Sequence, residues 1–479
     1  MRSADRVDLV LRDVALPHLE DGHGGAGAGY RVDVAVHDGR VVAVEASLSL
    51  RGVCEYDGHG AALLPGLHDH HLHLLATAAV AGSVDCSDAT TLDELGARLR
   101  AGTPRAGWVR AVGHHEARVG RLTRDLLDAL MGPERATTPV RVRDHSGALW
   151  VLNSAALAAL GPLPDTPDVE RDGSGRVSGR LWRLDHELGA RVGRTAPDLA
   201  ALGAELARLG ITGVTDATPD LPRATVDLLD GARRTGALPQ RVHLLGAATA
   251  AVPETLTVGP AKIHLRDHDL PTVDELAARV TAHHRTGRPV AVHCLGVEAL
   301  VLTLAALEDA GHVPGDRIEH ASVVPPALLP RLRATRVQVV TQPGFLSARG
   351  DDLVRDVGAA EQAWLWPWAG LRAAGIPVCG ASDAPHGPLS PWQVIAAAAD
   401  RRTPSGRVVG AGERVPASLA LGGYLTHPEA PAGSVRRIVP GAPADLVLLH
   451  GPLEAALAGV PANPVRLTVV AGRVVHDAG

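Results

Sequence analysis

The residues richest in chemistry are His68-Asp69-His70-His71-Leu72-His73, directly after an apolar run and a Pro65-Gly66 break. On a β-strand, residues two apart point the same way, so His71 and His73 share one face and His68 and His70 the other. Paired imidazoles on a rigid backbone suit a borderline transition metal such as zinc. With 24 histidines in 479 residues a His-x-His also arises by chance. The reading therefore depends on which other residues join the pair.

Composition supplies one. Of 47 basic residues, Lys262 alone is lysine. In a chain that uses arginine wherever a positive charge is wanted, a retained lysine points to chemistry closed to a guanidinium, such as an amine that loses its proton or reacts. The alternative is a chance survivor. The single phenylalanine, Phe345, lies close in sequence to Trp364, Trp366, Trp368 and Trp392. That cluster suggests an apolar wall near a site, with ordinary core packing as the competing account.

These side chains need a scaffold. The length allows one large domain plus a smaller one. A net charge of -6 without a basic block argues against nucleic acid or an acidic membrane surface as partner. The charged, alternating start MRSADRVDLVLRDV reads as a strand and not as a signal peptide. No apolar run is long enough for a membrane span. Cys54, Cys86, Cys294 and Cys379 are widely spaced, as in a reducing, cytoplasmic protein.

Residues 6–62 alternate as short strands with a hairpin turn at Asp38-Gly39, and 444–449 and 467–476 do so again, the latter turning at Ala471-Gly472. Together they predict a small β-domain built from 1–62 and 426–479. Between them, eight apolar strands are expected at 63–73, 210–217, 240–247, 261–265, 289–294, 316–322, 337–343 and 377–385, with helices such as 273–287 between. This is the rhythm of an α/β protein with a TIM (β/α)8 barrel over 63–425, catalytic groups gathering at the strand C-terminal ends. His73, Lys262, His293, His320 and Asp383 all come late in their strands. The long gap after the first strand predicts an insertion over about 86–205 that caps the barrel mouth.

At this point the sequence resembles the amidohydrolase superfamily of metal-dependent hydrolases. Its first-strand signature, Pro-Gly-x-x-Asp-x-His-x-His, matches Pro65 to His73, although His68 stands where the family usually has an aliphatic residue. Within the superfamily the chain is most similar to amidohydrolase family 3, which includes N-substituted formamide deformylases. Arg143 to Ser154, Gly213 to Ala217, Arg317 to Ala321, Gln342-Pro343 and Gly380 to Pro385 carry that likeness. The resemblance implies that His71, His73 and Asp383 hold one divalent metal, most readily zinc, and that His293 and His320 hold a second. It implies that Lys262 is carboxylated to a carbamate bridging both. Asp383 would also take a proton from the attacking water and pass it to the leaving nitrogen. Two such metals lower the pKa of a bridging water and polarise a carbonyl. A single-metal site, with Lys262 only in a salt bridge, and His264 as a ligand in place of Lys262 are the alternatives.

Gln342 and Phe345 follow the seventh strand and are expected to meet substrate. His145 and Asn153 in the insertion either bind substrate or cap turns. Cys294 and Cys379 are expected to pack as small apolar groups. The leading function is hydrolysis of a C–N bond in a small amide, an N-formyl or N-acyl amine. Ring opening of a cyclic amide or deamination uses the same metals. A non-hydrolytic reaction such as decarboxylation, and a binding protein without activity, are further classes; the intact ligand set speaks against the last. A homodimer is the default assembly.

Overall fold

The computed structural model describes residues 6–19, 26–145, 147–192, 197–248, 252–458 and 463–479. The expected strand start at residues 1–5 lies outside these. The chain forms two compact units, one of Met1–Leu74 with Leu199–Gly479 and one of Leu75–Asp198. It is an α/β protein.

In the first unit, strands from both chain ends make two four-stranded sheets. One uses Arg6–Leu19, Ala26–His37, Arg40–Glu45 and Arg51–Asp57; the other uses Leu446–Leu449, Val465–Val470 and Arg473–Asp477 with Leu63–Pro65. Their alternating apolar residues interdigitate, with Leu9, Leu11, Val34 and Val36 in one core with Leu446, Leu448, Leu467 and Val469. Both hairpin turns run through positive φ, at Asp38-Gly39 (47° and 70°) and Ala471-Gly472 (47° and 78°). The two tips meet. A Cβ on Gly472 would come within 2.9 Å of the Gly39 Cα, so this approach requires glycine.

The expected strand over 63–73 breaks at Gly66. Leu63–Pro65 pairs antiparallel with Leu446–Leu449 of the terminal sheet, and only β1 (Leu67–Leu72) joins the parallel sheet. Gly66 donates its N–H to Asp445 O and lies so close to Thr212 that a Cβ would collide with that side chain. Next in the parallel array are β2 (Ile211–Asp216) and β3 (Arg241–Leu244), then β4 (Ala261–Ile263), β5 (Val290–Cys294), β6 (Arg317–His320), β7 (Gln338–Thr341) and β8 (Val378–Gly380). β1 to β3 form one parallel ladder and β4 to β8 another. Backbone hydrogen bonds span both seams. Lys262 N donates to Leu245 O at 3.2 Å, and Asp383 N and His73 N donate to His71 O and Ala384 O, each at 2.8 Å.

A short strand, Leu256–Val258, extends the first ladder beside β3 and was not foreseen. Gly259-Pro260 separates it from β4, because proline has no N–H to give a ladder. Helix Val273–His284 starts with a capping box between Thr272 and Glu275. It buries Leu276, Ala277 and Val280 against the β4–β5 side of the core.

The second unit begins at Leu75 and ends at Asp198, against the expected 86–205. Helix Leu199–Arg208 belongs instead with the first unit, where Thr468 Oγ1 donates to Ala207 O. The second unit holds its own six-stranded sheet, with Leu95, Leu99 and Leu127 of two amphipathic helices packed on Val109, Val140, Val142 and Val151.

Candidate metal centre

The ends of β1, β4, β5, β6 and the turn after β8 bring the candidate ligands into one neighbourhood. One ligand atom each from His71, His73 and Asp383 lies within 4.8 Å of the others. His71 Nε2 and His73 Nε2 are 3.6 Å and 3.2 Å from Asp383 Oδ1. His320 Nε2 lies 2.9 Å from His293 Nδ1, and the rings of His71 and His320 are 4.8 Å apart. Asp383 and His320 both sit at positive φ, 52° and 71°. Left-handed backbone at non-glycine residues is costly and collects at functional sites.

Three of these imidazoles, His71, His73 and His320, are held through Nδ1. The Glu319 carboxylate meets His71 Nδ1, Thr218 Oγ1 lies 3.0 Å from His73 Nδ1, and Gln342 Oε1 lies 2.8 Å from His320 Nδ1. A proton on Nδ1 donated to these oxygens leaves Nε2 as the lone-pair nitrogen. His71 is lowered by burial and by Lys262, and His320 falls to about 3. Burial alone would raise Asp383, but His71 and His73 outweigh it and hold the carboxyl well below its usual range.

Three buried polar atoms here have no hydrogen-bond partner among the described residues: His71 Nε2, Asp383 Oδ1 and Lys262 Nζ. Leaving such atoms unpaired is costly. Nitrogen and carboxylate donors converging with open lone pairs suit a divalent cation, so the residues present fit a metal. Burial lowers Lys262 towards the neutral amine, while Glu319 and Asp383 act against it. His264 is exposed, its ring centre 4.6 Å from that of His293.

Gln342 is fully buried and spent on His320 and on Val340 O. Phe345 is buried beside Trp366. His145 is in the second unit, exposed, stacked on His115 at 4.0 Å and 3.2 Å from Asp144. Asn153 caps helix Ser154–Leu160 and also bonds Val140 N and Thr138 O, so its polar atoms are consumed structurally. His68 and His70 lie on the other face of β1, bonded to Thr215 and Thr426. Cys294 and Cys379 are buried thiols pushed up by burial, Cys294 to about 12, which suits packing and not nucleophilic attack.

Sequence reasoning missed Glu319 and Thr218. Arg317 and Glu319, opposite charges two apart on one strand, were the available signal for the first.

The chain matches the model of the amidohydrolase family over residues 55–476. It is 26% identical to amidohydrolase YtcJ of Bacillus subtilis (strain 168), over 88% of this chain and 90% of that one. It is also 26% identical to an N-substituted formamide deformylase of Arthrobacter pascens, over 84% and 86%. Among solved structures, an uncharacterized metal-dependent hydrolase from Pyrococcus horikoshii OT3 superposes with a TM-score of 0.73 at 20% identity, covering 92% of this chain and 97% of that one. With the match running over nearly its whole length, this chain belongs to the amidohydrolase family.

Proposed function

We propose that this chain is a metal-dependent hydrolase that cleaves the C–N bond of a small amide, an N-formyl or N-acyl amine. The carrying observation is the convergence of His71, His73 and Asp383 beside the unpartnered amine of Lys262. The two parallel ladders and their bridging bonds support reading the scaffold as a (β/α)8 barrel, with these residues at the strand C-terminal ends.

A divalent ion in this site, zinc by the donor set, would activate water and polarise the amide carbonyl. His71, His73 and Asp383 would hold one ion, His293 and His320 a second. Glu319 keeps Nε2 of His71 available, and Gln342 orients the His320 ring. Asp383 accepts the proton of the attacking water and delivers it to the amide nitrogen as the C–N bond breaks. Lys262, as a neutral amine, forms an N–C bond to carbon dioxide and releases a proton, giving a carbamate that joins the ligand set. The cysteines are free, in keeping with a reducing compartment. Among the described residues no helix is long and apolar enough to cross a membrane.

The test is amine release from N-formyl, N-acetyl and cyclic amides, with and without a chelator. Chelator-sensitive release from the open-chain amides is expected. Silence across them in metal-loaded protein would overturn the reading.

A further inference from the structure

Among the described residues Arg349 is a cation without an anion. It lies one turn after Phe345 in helix Gly344–Asp356, which is broken at this residue (φ −148°, ψ 25°). Its guanidinium carbon sits 4.5 Å from the centre of the Phe345 ring. Among the described residues it makes no hydrogen bond and no ion pair, and its Nε is buried without a partner. Burial lowers its pKa, and the charge of Asp383 acts in the opposite direction, so Arg349 feels the candidate metal centre.

Two more unsatisfied groups follow from the same aromatic pair, one on Trp366 and one on the residue its backbone bonds. Trp366 lies 5.8 Å from Phe345, ring centre to ring centre, and its Nε1 is buried without a partner. Trp366 N donates to Ser322 O at 2.8 Å, and the Ser322 hydroxyl is buried and unpartnered as well. Ser322 is two residues beyond His320, and Phe345 three beyond Gln342. An indole N–H and a guanidinium can only donate, so whatever satisfies them is an acceptor. Arg349 asks in addition for negative charge, and its planar fork matches a carboxylate. The Phe345–Trp366 pair gives that acceptor an apolar flank.

We propose that the substrate carries a carboxylate received by Arg349, with the Trp366 N–H and the Ser322 hydroxyl completing the receptor. This rests on the amide-hydrolase reading and names its substrate class as N-acyl amino acids. In the reaction the water oxygen bonds to the acyl carbon, the C–N bond breaks, and the nitrogen leaves with a proton as a free amino acid. The carboxylate is unchanged throughout and serves only to bind.

The experiment compares N-formylphenylalanine with N-formyl-2-phenylethylamine, which differ by the carboxylate alone. Wild type is expected to favour the acid by about 100-fold in kcat/KM, expressed in KM, and Arg349→Met to bring that ratio close to one. Trp366→Phe, which keeps a ring and removes the N–H, is expected to lower the ratio by a smaller factor. A wild-type ratio of one or less, or a ratio that both variants leave intact, would overturn the proposal.

A second readout needs no turnover. Quenching of tryptophan fluorescence by 3-phenylpropanoate should saturate in wild type and require at least about tenfold more ligand in Arg349→Met. Equal titrations would overturn the proposal. Amide hydrolysis without acid preference would sink this inference alone. Saturable, Arg349-dependent binding with no amide cleaved would sink the hydrolase reading and leave the carboxylate receptor standing.

Discussion

Nδ1 of His71 faces one carboxylate oxygen of Glu319 in a site where both side chains are fully buried. The other oxygen accepts from Arg317 Nε at 2.5 Å, and Arg317 Nη2 reaches His70 O at 3.3 Å. Guanidinium, carboxylate and imidazole form a row inside the strand array. Burial opposes the Glu319 charge, but Arg317, His71 and Lys262 together keep the carboxyl well below its usual range. The row sets which nitrogen of His71 is free before any metal arrives.

Replacing Glu319 by Gln keeps the size and removes the charge that orients His71. Metal affinity should fall by about 10- to 100-fold, measured by competition with a chromophoric chelator. Glu319→Leu should go further. It strands Arg317 as a buried unpaired cation, at a cost of about 3–5 kcal/mol. Denaturant unfolding checks this, and a variant as stable as wild type would show that the row carries no structural load.

Asp383→Asn retains a ligand oxygen and loses the base. Hydrolysis should drop by about 10²- to 10⁴-fold, with circular dichroism unchanged. Turnover near the wild-type rate would remove Asp383 from the proton transfer.

The lone lysine makes a prediction that needs no substrate. Incubation with ¹³C-labelled bicarbonate should give a carbamate carbon resonance in wild type and none in Lys262→Arg, since a guanidinium cannot form it. Activity should disappear with the resonance. If Lys262→Arg remains active, the carbamate is not required.

Burial, with Arg317 and Arg288 adding to it, pushes the imidazole of His243 down to about 3. The unfolded chain binds that proton near pH 6.5. Its contribution to stability is therefore intact above about pH 6.5 and is lost as pH falls from about 6.5 to about 3. Between pH 7 and pH 5 the loss is about 2 kcal/mol. Denaturant midpoints across this range should fall more steeply for wild type than for His243→Gln; parallel curves would assign the acid sensitivity to other groups.

What could be read from the residues follows from how local each signal is. The spacing of His71 and His73 fixes their shared face by strand alternation alone, and the turns at Asp38-Gly39 and Ala471-Gly472 are written in two residues each. Glu319 escaped because the left-handed φ of His320 interrupts alternation at the end of β6. Neighbours 319 and 320 can then both reach His71, which a strict period of two forbids. Gln342 was expected at the mouth because it follows a strand; whether a polar side chain there turns to solvent or inward to a histidine depends on a partner 22 residues away. The break at Gly66 depended on a strand from the far end of the chain, and no window around residue 66 contains that strand.

That break has a consequence for the order of events at the ribosome. Leu63–Pro65 is made immediately ahead of the histidine pair, yet its antiparallel partner Leu446–Leu449 follows only after the whole parallel array. Until it appears, the backbone leading into β1 has an unpaired side, and Arg436, which donates to the Gly66 carbonyl, is also missing. The nascent chain thus carries the His71–His73 pair long before the strand that anchors them. The strand that carries His71 thereby gains its full anchoring only once Leu446–Leu449 has been made.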